Sequence, residues 1–278
     1  MSPIIITKAN GEQEPFDSAK LENSLLRAGA KAEVVDDILS SIEQELRPGM
    51  TTREIYQHAF ELLGKKNRPV AIRYSLRRAI MDLGPSGFPF EKLIAEIFKT
   101  KGFQTETDRR ITGKCVQHEI DVIAYNETDL YLIEAKFHNQ LGVKTDTKIA
   151  LYVKARYDDL AGVDIRISGE NRQMTRGWLI TNTKFTQSAI EYGQCQNLNF
   201  VGWNYPSKGN LHDMITESGL HPLTCLTVTS QAEERTLLEK GVVLLRQLVD
   251  DSSVLDALGM PESKKEEVIA EAKSVLNG

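Results

Sequence analysis

Two carboxylates, Asp121 and Glu134, interrupt segments that are otherwise apolar. The segments cover residues 120–125 and 130–137, and the polar tetrapeptide 126–129 separates them. This pattern is typical of a β-hairpin with a short loop. If the tetrapeptide forms the turn, the two carboxylates are equally distant from its centre, so they are expected to lie directly opposite each other.

The same register places Glu119 opposite Lys136 on the same face of the hairpin. All four charged side chains are therefore expected to form one cluster. Opposed carboxylates whose Cβ atoms are about 5 Å apart repel each other, so this pair needs a compensating cation. Mg²⁺ suits the pair because it prefers oxygen ligands and commonly takes one or two protein carboxylates. A surface hairpin with ordinary cross-strand charge contacts is the alternative that the residues leave open.

The order of these residues resembles the signature of the PD-(D/E)XK nucleases, in which an Asp is followed one hairpin later by Glu-x-Lys. Here that tripeptide is Glu134-Ala135-Lys136. Two flanking features are similar to the Mrr-like (type IV) restriction endonucleases of that superfamily, namely Phe90-Glu91 before the hairpin and the block 177–189 after it. The resemblance covers about residues 86–205, and it implies an α/β nuclease domain with a central mixed sheet.

The resemblance also implies metal-assisted hydrolysis of phosphodiester bonds. It makes Asp121, Glu134, Lys136 and Glu91 the expected catalytic residues, with Asp121 and Glu134 as the ligands of Mg²⁺ (or Mn²⁺). The backbone carbonyl of Ala135 would complete the protein ligands, and Lys136 would orient the attacking water. For Glu91 a simpler role stays open, because the helix dipole favours an acidic residue near a helix N-terminus.

Strand and helix patterns alternate between residues 85 and 205, which favours an α/β sandwich. The predicted elements are, in order, an amphipathic helix over 90–98, a strand over 103–110, the hairpin over 118–137, a helix over 145–160 capped by Thr145, a strand over 177–181, a helix over 186–194 and a strand over 198–203. His118 and His138 flank the charged cluster and are interpreted as structural rather than metal-binding.

Lys148, Tyr152 and Arg156 recur at every fourth position of the helix predicted over 145–160. Residues four apart lie on one helix face, so these three form a stripe of two cations and one aromatic ring. Such a stripe can follow a phosphodiester backbone. The commoner explanation is a solvated helix face, and the residues alone do not choose between the two.

The first 84 residues predict a smaller hairpin followed by four helices. Asn10-Gly11 is the favoured type of two-residue turn between segments 4–8 and 12–16. Asp17 is the expected N-cap of the first helix, and Thr51 or Thr52 caps the third. The second helix carries an apolar face over 34–46, and the fourth runs over about 70–83 until the Gly-Pro-Ser-Gly sequence at 84–87 ends it.

This arrangement resembles the ATP-cone, a regulatory nucleotide-binding domain. The matching text is Ile-Thr-Lys-x-Asn-Gly-x-x-Glu-x-Phe-Asp-x-x-Lys-Leu at 6–21 and Thr-Thr-x-Glu-Ile at 51–55, although Ala9 stands where the family usually has Arg. The resemblance implies that ATP or dATP binds and changes oligomeric contacts, so a homo-oligomer is expected. The implied nucleotide contacts are Ile6, Lys8, Glu14, Asp17, Lys20, Leu21, Thr52 and Arg77. The alternative is a helical domain whose lysines are merely solvated.

Residues 206–278 predict a small all-α domain that follows a linker at 206–210. Its helical patterns cover 233–248, 254–258 and 263–276, and they weakly resemble tandem helix-hairpin-helix modules. Such modules often bind the DNA backbone. This region carries 7 basic and 12 acidic residues, a difference equal to the net charge of −5 of the whole chain. Protein contact or self-association is therefore at least as well supported here as DNA binding.

Composition indicates the cellular compartment in which the protein is expected. The three cysteines are far apart in sequence, which indicates reduced thiols. No apolar run approaches the roughly 18 residues of a membrane span, and no secretory signal pattern is visible, so a cytoplasmic protein without membrane contact is expected. The predicted organisation is an ATP-cone at 1–84, a nuclease domain at 85–205 and a helical domain at 206–278.

The leading hypothesis is an ATP- or dATP-regulated, Mg²⁺-dependent DNA endonuclease acting in restriction or defence. One alternative is a non-catalytic, nucleotide-sensing DNA-binding regulator that keeps the nuclease fold. Another is a nuclease for Holliday junctions or RNA that uses the same residues.

Overall fold

The computed structural model describes residues 3–9, 11–140 and 142–277. The chain divides into two units, one made of Met1–Ala79 together with His221–Gly278 and the other made of Ile80–Leu220. Within the described residues no helix is both long enough and apolar enough to span a bilayer.

Secondary structure begins with short strands and continues with helices. The elements up to the central sheet are β1 (Ile5–Thr7), β2 (Gln13–Pro15), α1 (Ser18–Arg27), α2 (Ala32–Glu45), α3 (Thr52–Lys66), α4 (Arg68–Tyr74), α5 (Leu76–Met81), α6 (Phe88–Thr100), β3 (Gln104–Thr112), β4 (Gln117–Tyr125) and β5 (Leu130–Lys136). They are followed by β6 (Lys144–Thr145), α7 (Thr147–Leu160), β7 (Ile165–Ile167), β8 (Glu170–Arg172), β9 (Arg176–Thr181), β10 (Lys184–Phe185), α8 (Gln187–Cys195), β11 (Asn199–Val201), α9 (Leu211–Ser218), α10 (Gln231–Glu239), α11 (Leu245–Asp250) and α12 (Glu262–Leu276).

The larger sheet of the 80–220 unit is mixed, as predicted. Its five strands follow the order β11-β9-β5-β4-β3. The pairs β3–β4 and β4–β5 are antiparallel, whereas β5–β9 and β9–β11 are parallel. The turn between β4 and β5 lies at the predicted tetrapeptide, where the Asn126 N–H donates to the Asp129 carbonyl at 3.0 Å. The sheet therefore has β5, the strand that carries Glu134, at its centre.

Helices α6, α7 and α8 supply the apolar faces that pack against this sheet. The predicted spacing of α6 is confirmed, since Phe90, Leu93 and Ile97 are fully buried. The predicted cap of α7 is wrong by one residue. Asp146 accepts the N–H groups of Lys148 and Ile149 at 3.0 and 3.3 Å. Thr145 is instead buried in β6 and donates to the Thr181 hydroxyl at 3.0 Å.

In the first part of the other unit, β1 and β2 form the expected antiparallel hairpin. Asn10, half of the predicted turn, lies outside the described residues. Asp17 caps α1 as predicted, and Thr51 rather than Thr52 caps α3, reciprocally with Glu54. The single helix predicted over 70–83 is two helices, α4 and α5. They part at Ser75, whose hydroxyl donates to the Ile72 carbonyl at 2.7 Å and competes with the helical bonds.

The C-terminal region is helical, but its boundaries differ from the prediction. The helix predicted over 233–248 is two helices, because Gly241 adopts a φ of 82° and the chain turns there. The expected linker at 206–210 leads into α9, which the pattern analysis missed and which Asn210 caps. Since α9 lies in the 80–220 unit, the chain after residue 205 contributes to both units. The three-domain division proposed from sequence stays a prediction.

Glu271 on α12 connects the C-terminal helices to the N-terminal region of the same unit. Its buried carboxylate accepts the Arg68 Nε and Nη2 groups at 3.1 and 2.9 Å. It also accepts the N–H and hydroxyl of Thr227 at 2.8 and 2.6 Å and the N–H of Val228 at 3.3 Å. One side chain thus ties α4 to α12 across 203 residues of sequence.

Candidate active site

Three carboxylates from different elements meet beside the inner strands β4 and β5 of the central sheet. Asp121 lies on β4, Glu134 on β5 and Glu91 in the first turn of α6. The start of α6 lies against the end of β5, because the rings of Phe90 and Phe137 pack with centroids 5.7 Å apart. Each carboxylate acts electrostatically on another member of the group, so the three side chains share one site.

Backbone pairing gives the predicted relation between Asp121 and Glu134. The register Val122↔Ile133 makes these two residues the next opposed pair. The backbone ladder stops there, and the Asp121 carboxylate instead accepts the Ala135 N–H at 2.7 Å. This hydrogen bond fixes the Asp121 side chain beside the strand that carries Glu134.

Burial and like charge disfavour ionisation of all three carboxylates. Burial, with Asp121 next in importance, raises the pKa of Glu91 to about 8 and that of Glu134 to about 7. Burial also raises the pKa of Asp121, although the Ala135 hydrogen bond opposes the shift. Shifts of this direction mean that burial and like charge together outweigh the nearby cations and hydrogen bonds.

A fourth carboxylate, Asp108 on β3, belongs to the site and was missed by sequence analysis. Asp108 would lie opposite Asp121, but that pair is skipped between Thr107↔Val122 and Arg109↔Ile120. Its φ of 53° is left-handed, which is unusual for a non-glycine residue in a strand. Its side chain is hydrogen-bonded to Glu91 and acts on Asp121. One Asp in an already polar strand carries no periodic signal that could have identified it.

The expected contact between Glu119 and Lys136 is wrong. Glu119 is paired with Arg110 across β3 and β4, and its carboxylate lies 3.6 Å from the Arg110 guanidinium on an exposed surface. The β4–β5 ladder ends before residue 119, so the predicted opposition does not bring these side chains together. Lys136 remains half-buried at the end of β5, where its charge lowers the pKa of Glu134 against the larger effect of burial.

Arg156 on α7 is the cation that reaches the site. Its Nη1 group is ion-paired with the Glu134 carboxylate, and the two side chains are 10% and 13% exposed. The guanidinium also lies 4.6 Å from the centre of the Tyr152 ring. Its Nε is buried and makes no hydrogen bond to the described residues. The stripe identified in sequence therefore runs from the carboxylates at Arg156 to solvent at Lys148.

Tyr157 fixes the position of its neighbour Arg156. The Tyr157 hydroxyl donates to the Trp178 carbonyl at 2.8 Å and accepts the Glu134 N–H. Its ring lies against Gly177, where a Cβ atom would be 2.3 Å from the ring. Gly177 is therefore required sterically, since any side chain there would displace Tyr157 and with it α7.

The two flanking histidines are structural, as interpreted. The His118 Nε2 lies 2.8 Å from the Asp159 carboxylate, which also accepts the Cys115 N–H at 2.8 Å. The His138 Nε2 lies 3.0 Å from the Thr145 hydroxyl. The first contact joins β4 to α7, and the second joins the segment after β5 to β6; neither involves the carboxylates of the site.

The described residues contain no group of three or more His, Cys, Asp or Glu side chains arranged to hold a metal ion. The opposed pair Asp121 and Glu134 nevertheless fits Mg²⁺, which commonly takes only one or two protein carboxylates and completes its coordination with water. Burial is the main cause of the raised pKa values of both residues, so a bound cation would stabilise ionised forms that have lost part of their hydration. The donor chemistry therefore fits a hard divalent cation.

The residues expected to contact a nucleotide are mostly neighbours in the N-terminal region. The Glu14 carboxylate lies 2.8 Å from the Lys8 ammonium and 3.4 Å from that of Lys20, which is also 3.8 Å from Asp17. Ile6 is paired with Glu14 across the hairpin.

Leu21 is buried one residue after Lys20, and Thr52 begins α3 beside a bridge between Thr7 and Thr51. Arg77 is half-buried on α5. Two lysines therefore meet around one carboxylate, while the placement of Arg77 is set by a different helix.

Three family models match the chain one after another. The ATP cone domain matches residues 4–82, a restriction endonuclease domain matches residues 84–202, and an AF1548-like C-terminal domain matches residues 221–276. The order agrees with the resemblances identified in sequence, so both are confirmed.

Individual proteins are similar to parts of this chain. A protein of Archaeoglobus fulgidus described as uncharacterized is 35% identical over 184 residues, which are 66% of this chain and 99% of that protein. The crystal structure of AF1548, a protein of unknown function, matches at 34% identity with a TM-score of 0.56, covering 69% of this chain and 100% of that chain. The transcriptional repressor NrdR of Kosmotoga olearia is 35% identical over 90 residues, which are 29% of this chain and 57% of the repressor.

Proposed function

Because the chain belongs to the AF1548-like family, with an ATP-cone ahead of a restriction-endonuclease domain, we propose that it is an ATP- or dATP-regulated, Mg²⁺-dependent DNA endonuclease acting in restriction or defence. The observation that carries the proposal is the convergence of Glu91, Asp121 and Glu134 beside the inner strands of the sheet, close to Lys136. A binding module would have no need for three half-buried, mutually repelling carboxylates.

Asp121 and Glu134 would hold the Mg²⁺ ion, with the Ala135 carbonyl as a further oxygen. A bound Mg²⁺ ion polarises a phosphate and lowers the pKa of water. The hydrogen bond from Ala135 N–H keeps Asp121 oriented toward Glu134. Lys136, two residues after Glu134 and on the same face of β5, would orient the water that adds across one P–O bond, leaving one phosphate end and one hydroxyl end.

Glu91 is suited to hold a proton. Burial and the neighbouring carboxylates raise its pKa to about 8, so it stays protonated near neutral pH in the metal-free protein. Bound Mg²⁺ would favour the ionised form of Glu91, so binding of the ion is expected to release this proton. We assign Glu91 to orienting the metal ligands, since the first turn of α6 places it beside Asp121 and Glu134.

The regulatory half of the proposal rests on the ATP-cone. Lys8 and Lys20 already share the Glu14 carboxylate, and a triphosphate would give both ammonium groups a stronger partner. Regulation requires the nucleotide to bind two states with different affinity, by about 1–3 kcal/mol. We propose that ATP or dATP changes the assembly of a cytoplasmic homo-oligomer.

The test is incubation of the full chain with supercoiled plasmid, a four-way junction and RNA, with Mg²⁺ or EDTA, and with or without ATP and dATP. Sedimentation is recorded in parallel. We expect plasmid cleavage that requires Mg²⁺ and changes with nucleotide. Absence of cleavage for every substrate would contradict the enzymatic part. Cleavage that no nucleotide alters, together with unchanged sedimentation, would contradict the regulatory part alone.

A second candidate is a non-catalytic nucleotide-sensing regulator of DNA. It is favoured by the repressor NrdR proteins, which are similar to the N-terminal region of this chain. Under this function the Asp121→Asn protein would bind DNA and nucleotide like the wild type, and neither protein would cleave. Under the first function only the variant would fail to cleave.

A further inference from the structure

The exposed half of Tyr152 has no evident structural purpose. Its side chain is 51% exposed, although it stands on α7 only one turn from the carboxylate site. The Arg156 guanidinium lies 4.6 Å from the centre of its ring. A large aromatic ring that presents its surface to solvent beside a cation is an unusual use of apolar area on a helix that already has a buried face through Ala150, Val153 and Tyr157.

Arg156 itself has a buried hydrogen-bond donor without a partner among the described residues. Nη1 is ion-paired with Glu134, but the buried Nε makes no hydrogen bond to the described residues, and the side chain is only 10% exposed. A buried unpaired donor is costly, and a rotation of the side chain toward a phosphate would relieve that cost. An arginine is suited to phosphate because its planar guanidinium offers several N–H groups to the oxygens.

Lys148 completes a line on the same face. It is exposed one turn before Tyr152, so cation, ring and cation follow one another at intervals of about 6 Å along the axis. This alternation of cation, aromatic ring and cation matches a nucleic-acid strand. Phosphates and bases alternate along such a strand, and each base has a planar face that can stack on a ring.

We propose that the face of α7 formed by Lys148, Tyr152 and Arg156 binds unpaired, single-stranded DNA next to the cleavage site, with a base stacked on Tyr152 and backbone phosphates at Arg156 and Lys148. This inference rests on the proposed nuclease function and adds the class of substrate. Inside a duplex both faces of a base are covered by its neighbours, so only an unpaired or extruded base offers a face to the ring.

The test uses a fluorescein-labelled oligodeoxynucleotide of roughly 20 nucleotides, longer than a typical single-strand site. Its anisotropy is measured with Ca²⁺ replacing Mg²⁺, beside a duplex of the same length. We expect Tyr152→Ala to weaken binding of the single strand by about five- to hundredfold, the range that one stacked base provides. Tyr152→Phe keeps the ring and should bind within about twofold of the wild type.

Leu151→Ala is the matched control, because Leu151 is 48% exposed on the same helix but lies about 100° around it. This variant should bind like the wild type. Lys148→Ala should lower the slope of log affinity against log salt by about 0.7, the value for one phosphate contact on a single strand. The fluorescence of 2-aminopurine in a single strand should be quenched by stacking when the wild type or Tyr152→Phe binds. Quenching should be weaker with Tyr152→Ala.

The inference would be overturned if Tyr152→Ala and Leu151→Ala lost equal affinity for the single strand. It would also be overturned if Tyr152→Ala lost equal affinity for single strand and duplex. A Tyr152→Ala protein that binds the single strand normally would overturn it as well. These outcomes differ from a failure of the proposed function, in which the wild-type protein cleaves no DNA at all. If the wild type cleaves duplex plasmid while Tyr152→Ala binds the single strand normally, the nuclease function is supported and the single-strand site is contradicted.

Discussion

Glu271 and Glu134 are both mostly buried glutamates, one in each unit, and they have opposite surroundings. Glu271 accepts five hydrogen bonds, from Arg68, Thr227 and Val228. Glu134 has the single cation Arg156 as its ion-pair partner and lies beside two further carboxylates. Burial therefore costs little at Glu271, whereas at Glu134 it raises the pKa to about 7.

The difference separates a carboxylate that holds a fold together from one that awaits a ligand. Buried charges are stable when hydrogen bonds and counter-charges satisfy them. Where they are not satisfied, the missing charge indicates what the site binds. Removing the first kind should destabilise the fold, and removing the second kind should abolish function while leaving the fold intact.

The largest expected effect is on cleavage. Asp121→Asn should reduce Mg²⁺-dependent cleavage by about a thousandfold or more, because it removes a ligand of the ion that supplies several kcal/mol of transition-state stabilisation. Its thermal midpoint without metal should not fall, since a repelling charge is lost. Lys136→Ala should slow cleavage but keep the affinity for Mg²⁺ measured by calorimetry. If Asp121→Asn cleaves like the wild type, the site is assigned to the wrong residues.

The second effect is on stability. Glu271→Ala should lower the free energy of unfolding by about 2 kcal/mol, because the Thr227 and Val228 donors lose their acceptor. Urea denaturation measures the change. Glu267→Ala, exposed one turn earlier on α12, is the control and should alter stability by less than about 0.5 kcal/mol. Equal effects of both changes would contradict the structural role of Glu271.

The third effect is on nucleotide affinity. The double change Lys8→Ala and Lys20→Ala should weaken ATP binding by at least about tenfold, since two charge-assisted contacts to phosphate are removed. Isothermal titration with ATP and dATP provides the measurement. Lys31→Ala with Lys65→Ala removes the same charge from exposed positions directly before α2 and on α3, and should leave the affinity unchanged. Equal affinity of all three proteins would locate the nucleotide elsewhere.

The smallest expected effect is a change in thermal stability with pH. Glu91 and Glu134 have pKa values of about 8 and 7 in the folded protein and an ordinary value of 4.5. The folded state therefore binds protons more tightly, so their contribution to stability is complete below pH 4.5 and is lost as the pH rises to about 8. The metal-free protein should have a thermal midpoint that falls between pH 5 and 8.

Glu91→Gln should flatten that fall, because glutamine does not ionise. Glu96→Gln, on the same helix with a side chain that is 39% exposed, is the control and should keep the wild-type slope. Saturating Mg²⁺ should also flatten the curve in the wild type, since the ion stabilises the ionised carboxylates. A steep fall in both the Glu91→Gln protein and the Mg²⁺-bound wild type would assign the slope to other groups.

Several features followed from sequence because their causes are local. The hairpin register depends on a short polar turn and on alternation with a period of two, and both were readable around residues 126–129. The cap of α1 follows from one Asp before an amphipathic segment. The ATP-cone and the restriction-endonuclease domain were recognisable because their motifs occur in the expected order.

Other features depend on contacts between residues that are remote in sequence. Arg156 was visible only as one member of a stripe, and its choice of Glu134 over solvent follows from Tyr157 packing on Gly177. Asp108 joins the site because the strand leaves the regular β conformation there. Glu119 was misplaced because pairing of β4 with β3 continues past the point where pairing with β5 ends.

The sequence by itself therefore determined the two recognisable domains, the opposition of Asp121 and Glu134 and most element positions. Tertiary structure alone decided which cation neutralises Glu134 and that Glu271 on α12 is satisfied by Arg68 on α4. The physical reason is that turns, caps and periodicity involve residues a few positions apart. The partner of a buried charge is instead set by which helix packs against it, and that depends on the volume and shape of the whole core.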